Sequence, residues 1–213
     1  YWLHNGFVNV DHTKMSKSLG NVVLVRDLLQ QAPGEVVRLA LLSAHYRQPL
    51  DWSADVLIEA RRKLDRLYNA LRNVSGWQDD WQNTPPSAEF TAALEDDLNT
   101  PRAIAALFNL ARELNRLGND PEAPAVAKQL RAGAAILGLL DQDPAEWCRV
   151  GGAAEDDSAA EIDALLLERN AARKARDFAA ADRIRDQLLA MSVIIEDGPD
   201  GSSWRRIDTK GGN

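Results

Sequence analysis

Three apolar stripes at helical spacing follow one another between Ser53 and Leu140, and they constrain the fold more than any other feature of the sequence. The first carries Leu57, Ala60, Leu64, Leu67, Tyr68 and Leu71. The second carries Ile104, Leu107, Phe108, Ala111 and Leu114 behind Thr100-Pro101, read as an N-cap followed by proline at the first helical position. The third, about 124–140, uses Val126, Leu130, Ala134 and Leu137. Side chains three and four apart share one face of a helix, so each stripe must be buried against another element. A Gly/Trp/Asp/Pro-rich connection reaches Pro86, and a short helix near 88–95 follows it. Three stripes in sequence with short connections predict an antiparallel helical bundle. The opposite face of the first helix shows Arg61, Arg62, Lys63, Arg66 and Arg72, which reads as an ordinary solvated face.

The flanks are different. In residues 1–10, Leu3, Phe7, Val8 and Val10 surround Asn5-Gly6, which predicts two short extended segments and a hairpin-like turn. Residues 11–21 are polar and read as a mobile loop. Helices are expected near 25–31, stopped by Pro33-Gly34, and over 35–44, the latter almost apolar all round and so buried. His45–Pro49 then breaks the pattern. Residues 150–158 read as a solvated linker. Beyond it Ser158 and Glu161 form a capping box ahead of Ile162, Leu165 and Leu166. Asp177 caps a second helix with inner positions Phe178, Ala181, Ile184 and Leu188. Val193–Glu196 and Ser203–Ile207, joined by a Gly/Pro turn, read as two strands, with Trp204 half in the core and half at its rim.

Charge decides which partners are open. The chain of 213 residues has a net charge of −7, yet residues 1–72 hold 10 Lys/Arg against 7 Asp/Glu while the remainder holds 15 against 25. A uniformly acidic surface would exclude nucleic acid, because phosphate contacts need cations; this uneven one does not. No apolar run approaches the roughly 18 residues of a membrane span. A single cysteine, Cys148, excludes an internal disulfide and a multi-thiolate zinc site, and fits a reducing compartment. Cys148 reads as packing, and His12 and His45 as loop residues. The chain opens on Tyr1 with no signal-peptide pattern, so a trimmed, cleaved or partial chain is expected.

Chemistry concentrates in Lys14-Met15-Ser16-Lys17-Ser18. Two lysines three apart, flanked by hydroxyls and followed by Leu19-Gly20-Asn21, suit a cationic clamp on phosphates. When an α-phosphate is attacked, negative charge grows on its oxygens and on the departing pyrophosphate. Cations brought up by a mobile loop then stabilise the transition state more than the ground state. A solvated Lys/Ser loop is the alternative reading of the same composition.

The pentapeptide KMSKS is also the second signature of class I aminoacyl-tRNA synthetases. Its surroundings, WLHNGFVNV before and SLGN…RDLL after, resemble cysteinyl-tRNA synthetases, as do SAHYRQPLDW (43–52), LDRLYNALR (64–72), EDDLNTPRA (95–103), LGLL (137–140), ARKARDFAAADRIRD (172–186) and IIEDGPDGSSWRR (194–206). The resemblance covers nearly the whole chain and implies a mainly α protein in three parts. Residues 1–48 are the end of a class I catalytic α/β domain with the KMSKS loop. Residues 49–149 are an antiparallel helical bundle of the DALR kind, and residues 158–213 a small α+β anticodon-recognition domain.

The implied activity is that of a cytoplasmic, monomeric cysteine–tRNA ligase: activation of cysteine with ATP and Mg2+, then transfer to tRNA(Cys). By the resemblance Lys17 binds ATP phosphates and Lys14 assists, with Met15, Ser16 and Ser18 on the same ATP-binding loop. The HIGH signature has no counterpart here, since His4-Asn5-Gly6 is not followed by a second histidine. The zinc expected in the intact enzyme has no ligands in this chain. The chain alone, read as the C-terminal half, is therefore expected to be inactive.

Anticodon reading falls, by the same resemblance, to Arg173, Phe178, Asp182 and Asp197. The residues permit it: Arg169, Arg173, Lys174 and Arg176 beside Phe178 offer cations for phosphate and a ring for an unpaired base. Carboxylates accept from base amino groups. Relatives often show tryptophan where Phe178 stands, so stacking persists while an indole N–H contact is lost. Against these roles, Phe178 also falls on an apolar stripe, and Asp197 also suits a turn. Two other functions fit parts of the chain: a ligase joining cysteine to a small sugar amine, against which the 158–206 segment argues, and a free-standing tRNA-binding module.

Overall fold

The computed structural model describes residues 1–10, 12–149, 158–191, 193–198 and 201–206, with the side chains of residues 149, 158–160, 163, 196–198, 201, 203, 205 and 206 outside the described set. The chain divides into two units, Tyr1–Pro144 and Ala145–Asn213.

The first unit begins with a three-stranded sheet. Strand β1 (Val8–Val10) pairs antiparallel with β2 (Thr13–Lys14) and parallel with β3 (Leu50–Trp52). The parallel pair needs a crossover, and α1 (Val25–Leu28) and α2 (Gly34–Leu42) supply it. This β–α–β path is the small α/β part of the first unit, whose other described elements are helical. It corrects two expectations. The turn lies between Val10 and Thr13, where His12 takes φ 62°, and not at Asn5-Gly6. Gly6 instead lies against another segment: a Cβ there would stand 2.2 Å from the Gln48 carbonyl oxygen. Strand β3 went unforeseen because three residues after Pro49 are too few to show a period of two.

Helix α1 spans less than the expected 25–31, since 29–32 close only as turns onto Leu28 and Val25. Helix α2 buries Val36, Val37, Leu39 and Ala40, while Leu41 faces out. Helix α3 (Ala54–Arg72) turns Ala60, Leu64, Leu67, Tyr68, Ala70 and Leu71 inward. Helices α4 (Ala88–Glu95), α5 (Thr100–Leu117) and α6 (Ala123–Ile136) complete the bundle. The stripe of α5 is buried at Ile104, Leu107, Ala111 and Leu114. Its cap is Asn99, whose side chain accepts from the Arg102 N–H, one residue earlier than expected. Thr100 is instead committed to α2, its hydroxyl donating to the Leu42 carbonyl across 2.9 Å. An orphan carbonyl at the end of one helix is thus satisfied by the first residue of another.

One buried polar centre joins three parts of this unit. Glu35, at the start of α2, accepts from the Tyr68 hydroxyl (2.8 and 3.0 Å to its two oxygens) and from the N–H groups of Leu140 (3.1 Å) and Asp141 (2.9 Å). The Gln142 N–H donates in turn to the Tyr68 oxygen. Burial foremost raises the Tyr68 phenol far above its ordinary value. Tyr68 therefore stays protonated, and a donor, at neutral pH. Arg131, buried on α6, donates to Asp141 and stacks on Trp81, 4.0 Å from the ring centroid.

In the second unit, the short α7 (Pro144–Arg149), which begins at the boundary, carries Cys148 half-buried. Helices α8 (Ser158–Lys174) and α9 (Phe178–Ala190) lead into a hairpin of β4 (Val193–Gly198) and β5 (Gly201–Arg206). Its core is Ile162, Leu166, Ile184, Leu188, Val193 and Trp204. Trp204, only 2% exposed, is core and not rim. The cap by Asp177 is present, its carboxylate accepting from the Ala180 N–H. The proposed capping hydroxyl of Ser158 lies outside the described side chains.

Candidate functional site

The sequence-selected pentapeptide begins on β2 and passes through one tight turn. Lys14 is the last residue of β2, and Met15 continues the pairing by donating its N–H to the Val8 carbonyl (3.0 Å). Ser16 caps a single 3-10 turn over Lys17–Leu19, accepting from the Leu19 N–H, and its hydroxyl stands 3.2 Å from that of Ser18. Gly20 closes the turn at φ 67° and donates to the Lys17 carbonyl. No heavy atom lies within 4 Å of where its Cβ would be, so the glycine is there for its left-handed backbone and not for space. Asn21 then folds back, accepting from the Ser16 N–H at 2.9 Å and donating to the Lys14 carbonyl at 3.3 Å.

Lys14, Lys17 and Ser18 are exposed, while Met15 and Ser16 are half-buried. The Lys14 ammonium sits over the Phe7 ring, 3.6 Å from its centroid. Phe7 is held in turn: its carbonyl accepts from the Leu50 N–H, and the preceding Gly6 N–H donates to the Tyr46 carbonyl. The turn from β1 to β2 is fixed by Asp51 of β3, which accepts from the His12 backbone N–H and pairs with its ring. The arrangement offers an exposed lysine at the end of β2 and a second on the turn that follows, beside the hydroxyls of Ser16 and Ser18, groups of a kind that can bind phosphate.

The segment that enters β3 is clasped to the bundle. The Tyr46 hydroxyl and the Arg47 guanidinium both donate to Asp97, and the Asp97 carbonyl lies 3.0 Å from His45 Nε2. Asp97 and Leu98 hold positive φ (54° and 52°) in the turn between α4 and α5. The Arg47 hydrogen bond first, then that from Tyr46, holds the Asp97 carboxyl down at about 2.

The basic face of α3 is largely committed within the fold. Arg61 pairs with Asp65 and Arg62 with Glu59, while Arg66 stacks on Phe108.

In the second unit three of the four residues selected for anticodon reading fall on the last turn of α8 and the first turns of α9. Arg173 lies in the last turn of α8, Phe178 is the first residue of α9, and Asp182 follows one turn later on the same face. All three are exposed, Phe178 at 63%. Phe178 is thus not among the inner positions of α9, which are Ala181, Ile184 and Leu188. Asp182 pairs with Arg185. Asp197 stands in β4 opposite Ser202, and its side chain lies outside the described set. Ser202 is bonded to Asn170 and Arg169 of α8, which sets that end of the hairpin beside the helix that carries Arg173. Arg169 is only 8% exposed and so leaves the exposed cationic cluster.

Three family models match this chain in order. They are the tRNA synthetases class I (C) catalytic domain over residues 1–62, the DALR domain over 89–141, and the cysteinyl-tRNA ligase anticodon binding domain over 155–205. The cysteine–tRNA ligase of Parvibaculum lavamentivorans is 56% identical over 206 residues, covering 96% of this chain and 44% of that protein. The chain belongs to the cysteine–tRNA ligase family.

The ligase of Rhodospirillum rubrum is 51% identical over 207 residues, covering 97% of this chain and 45% of its own length. The chain therefore spans a little under half the length of these relatives. Among solved structures, the LeuRS–tRNA–LeuAMS ternary complex from Agrobacterium radiobacter K84 matches 73% of this chain and 23% of its own, at 26% identity and a TM-score of 0.49. Among the described residues, no group of three or more His, Cys, Asp or Glu side chains is placed to hold a metal ion. The zinc that the family implies is assigned to none of them. No helix among the described residues is long and apolar enough to cross a membrane.

Sequence reasoning missed the supporting residues. Phe7, Asn21, Asp51 and Asp97 touch the loop or its foundation, yet only the first carries any periodic signal. Asn21 alone could have been found, since an Asn after a Gly that ends a polar turn has a short reach back to the backbone.

Proposed function

We propose that this chain supplies the KMSKS loop, the helical bundle and the anticodon-reading module of a cysteine–tRNA ligase. In this reading residues 1–48 end the catalytic domain, 49–149 form the bundle and 158–213 read the anticodon. The whole enzyme activates cysteine with ATP and Mg2+ and transfers it to tRNA(Cys), in the cytoplasm and as a monomer. The observation that carries the reading is the exposed turn bearing Lys14 and Lys17, in a chain half identical to such ligases along nearly its full length.

Lys17 binds the phosphates of ATP, and Lys14 leaves the Phe7 ring to assist as charge develops on the α-phosphate and the departing pyrophosphate. The Ser16 and Ser18 hydroxyls donate to remaining phosphate oxygens. Charge stabilisation that exists only in the transition state raises turnover and leaves ground-state binding alone. In the second unit Arg173 holds backbone phosphate, Phe178 stacks an unpaired base, and Asp182 and Asp197 accept from base amino groups.

The test is charging by the enzyme that contains this sequence. Wild type should charge tRNA(Cys) with cysteine and discriminate strongly against a transcript with a swapped anticodon. Asp197→Ala should narrow that discrimination. Equal charging of both transcripts by wild type contradicts the anticodon role. The 213-residue chain should bind tRNA with an affinity that falls as salt rises, and should form no cysteinyl adenylate.

A further inference from the structure

We infer that Asn21, outside the pentapeptide itself, is a positioning residue that sets the geometry of the KMSKS turn. The inference rests on the phosphate-binding role proposed above for Lys17. One side-chain amide spans the two residues flanking Met15: its oxygen accepts from the Ser16 N–H at 2.9 Å, and its nitrogen donates to the Lys14 carbonyl at 3.3 Å. These two backbone groups face the side of the turn away from Val8, which satisfies only the Met15 N–H. Asn21 thus takes the place that a further strand would occupy beside β2, supplying one donor and one acceptor at the spacing a peptide unit offers.

The connection that makes this possible is short. Gly20 at φ 67° reverses the chain after the 3-10 turn, and its own N–H bonds the Lys17 carbonyl. Lys17 therefore stands inside a closed ring. The ring runs from Lys14 through Ser16, Lys17 and Gly20 to Asn21 and back to Lys14. Opening it at Asn21 leaves the Ser16 cap and the Gly20 bond to define where Lys17 points. Ordering a flexible lysine at the moment of reaction costs free energy that a preformed turn has already met. Asn21 makes no contact with phosphate in this scheme. It acts through Lys17.

The experiment uses the enzyme that contains this sequence and reads cysteine-dependent ATP–pyrophosphate exchange, with kcat and the ATP KM resolved separately. Asn21→Ala removes two backbone hydrogen bonds and should lower kcat by about tenfold to a hundredfold, with the ATP KM changed by less than about threefold. Asn21→Gln keeps both groups one methylene further out and should recover part of the loss. In a Lys17→Ala background Asn21→Ala should cost less than about threefold, because the residue it positions is gone. Full activity of Asn21→Ala, or losses that multiply in the double variant, overturns the inference. Normal exchange by Lys17→Ala removes the reading on which it rests. A second measurement needs no nucleotide: in the 213-residue chain the Ser16 amide should exchange hydrogen faster in Asn21→Ala than in wild type. An unchanged Ser16 rate refutes the ring, whatever the kinetics show.

Discussion

Arg47 donates through Nε to Asp97 across 2.6 Å and through a second guanidinium nitrogen across 3.1 Å, a forked contact that ties the strand-entry segment to the turn between α4 and α5. Tyr46 adds its hydroxyl to the same carboxylate at 2.7 Å. Both sequence stretches were recognisable by resemblance, but nothing in either indicated that they meet. The Asp97 carboxyl, depressed from its ordinary 3.8 to about 2, gives the clasp a definite pH window. A group whose folded value is lowered contributes stability above its unfolded value and loses it as pH falls through the folded one. Asp97→Asn should therefore be less stable than wild type at neutral pH, with the difference closing between about pH 4 and 2. Urea unfolding of both proteins across that range checks it.

Gly6 is a point of contact between segments, not a turn. Its N–H bonds the Tyr46 carbonyl, and a side chain there would overlap the Gln48 carbonyl oxygen. Gly6→Ala should push apart the strands beneath Phe7, destabilising the chain by about 1–3 kcal/mol. It should also speed hydrogen exchange at Leu50, whose N–H bonds the neighbouring Phe7 carbonyl. A melting temperature equal to that of wild type contradicts this.

The buried centre at Glu35 should rank its variants in a fixed order. Glu35→Ala leaves the Tyr68 hydroxyl and the Leu140 and Asp141 N–H groups without their acceptor and should cost about 2–4 kcal/mol. Tyr68→Phe removes one donor, and leaves the Gln142 N–H without its acceptor, for about 1–2 kcal/mol. Denaturant midpoints measured side by side decide the order.

In the second unit two aromatic residues should behave oppositely. Trp204→Ala removes a core ring and should cost about 3–5 kcal/mol. Phe178→Ala touches an exposed position and should leave stability within about 0.5 kcal/mol. Its expected effect is on tRNA affinity, where base–aromatic stacking contributes about 1–3 kcal/mol. Melting curves and tRNA titrations of the two variants separate the roles.

Periodic features were legible in the sequence, and single-residue commitments were not. The helical stripes of α3, α5 and α6 rest on repeated apolar spacing, which survives any local detail. The cap of α5 slipped from Thr100 to Asn99 because Thr100 is engaged by the Leu42 carbonyl, 58 residues away. Nothing in the spacing around Glu35 signals its role, because its partners come from α3 and from the chain beyond α6. Phe178 satisfied the helical period yet faces outward, since the first residue of α9 lies past the edge of the core. At the candidate site KMSKS itself was plain. Its supports, Phe7, Asn21 and Asp51, depend on chain reversal and on strand pairing that a period cannot show.

Lys17 stands at the centre of the proposed chemistry, so its removal from the whole enzyme is the most direct measurement. In cysteine-dependent ATP–pyrophosphate exchange, Lys17→Ala should slow adenylate formation by about a hundredfold to a thousandfold, with tRNA affinity unchanged. Exchange at the wild-type rate would contradict the assignment of this turn to ATP.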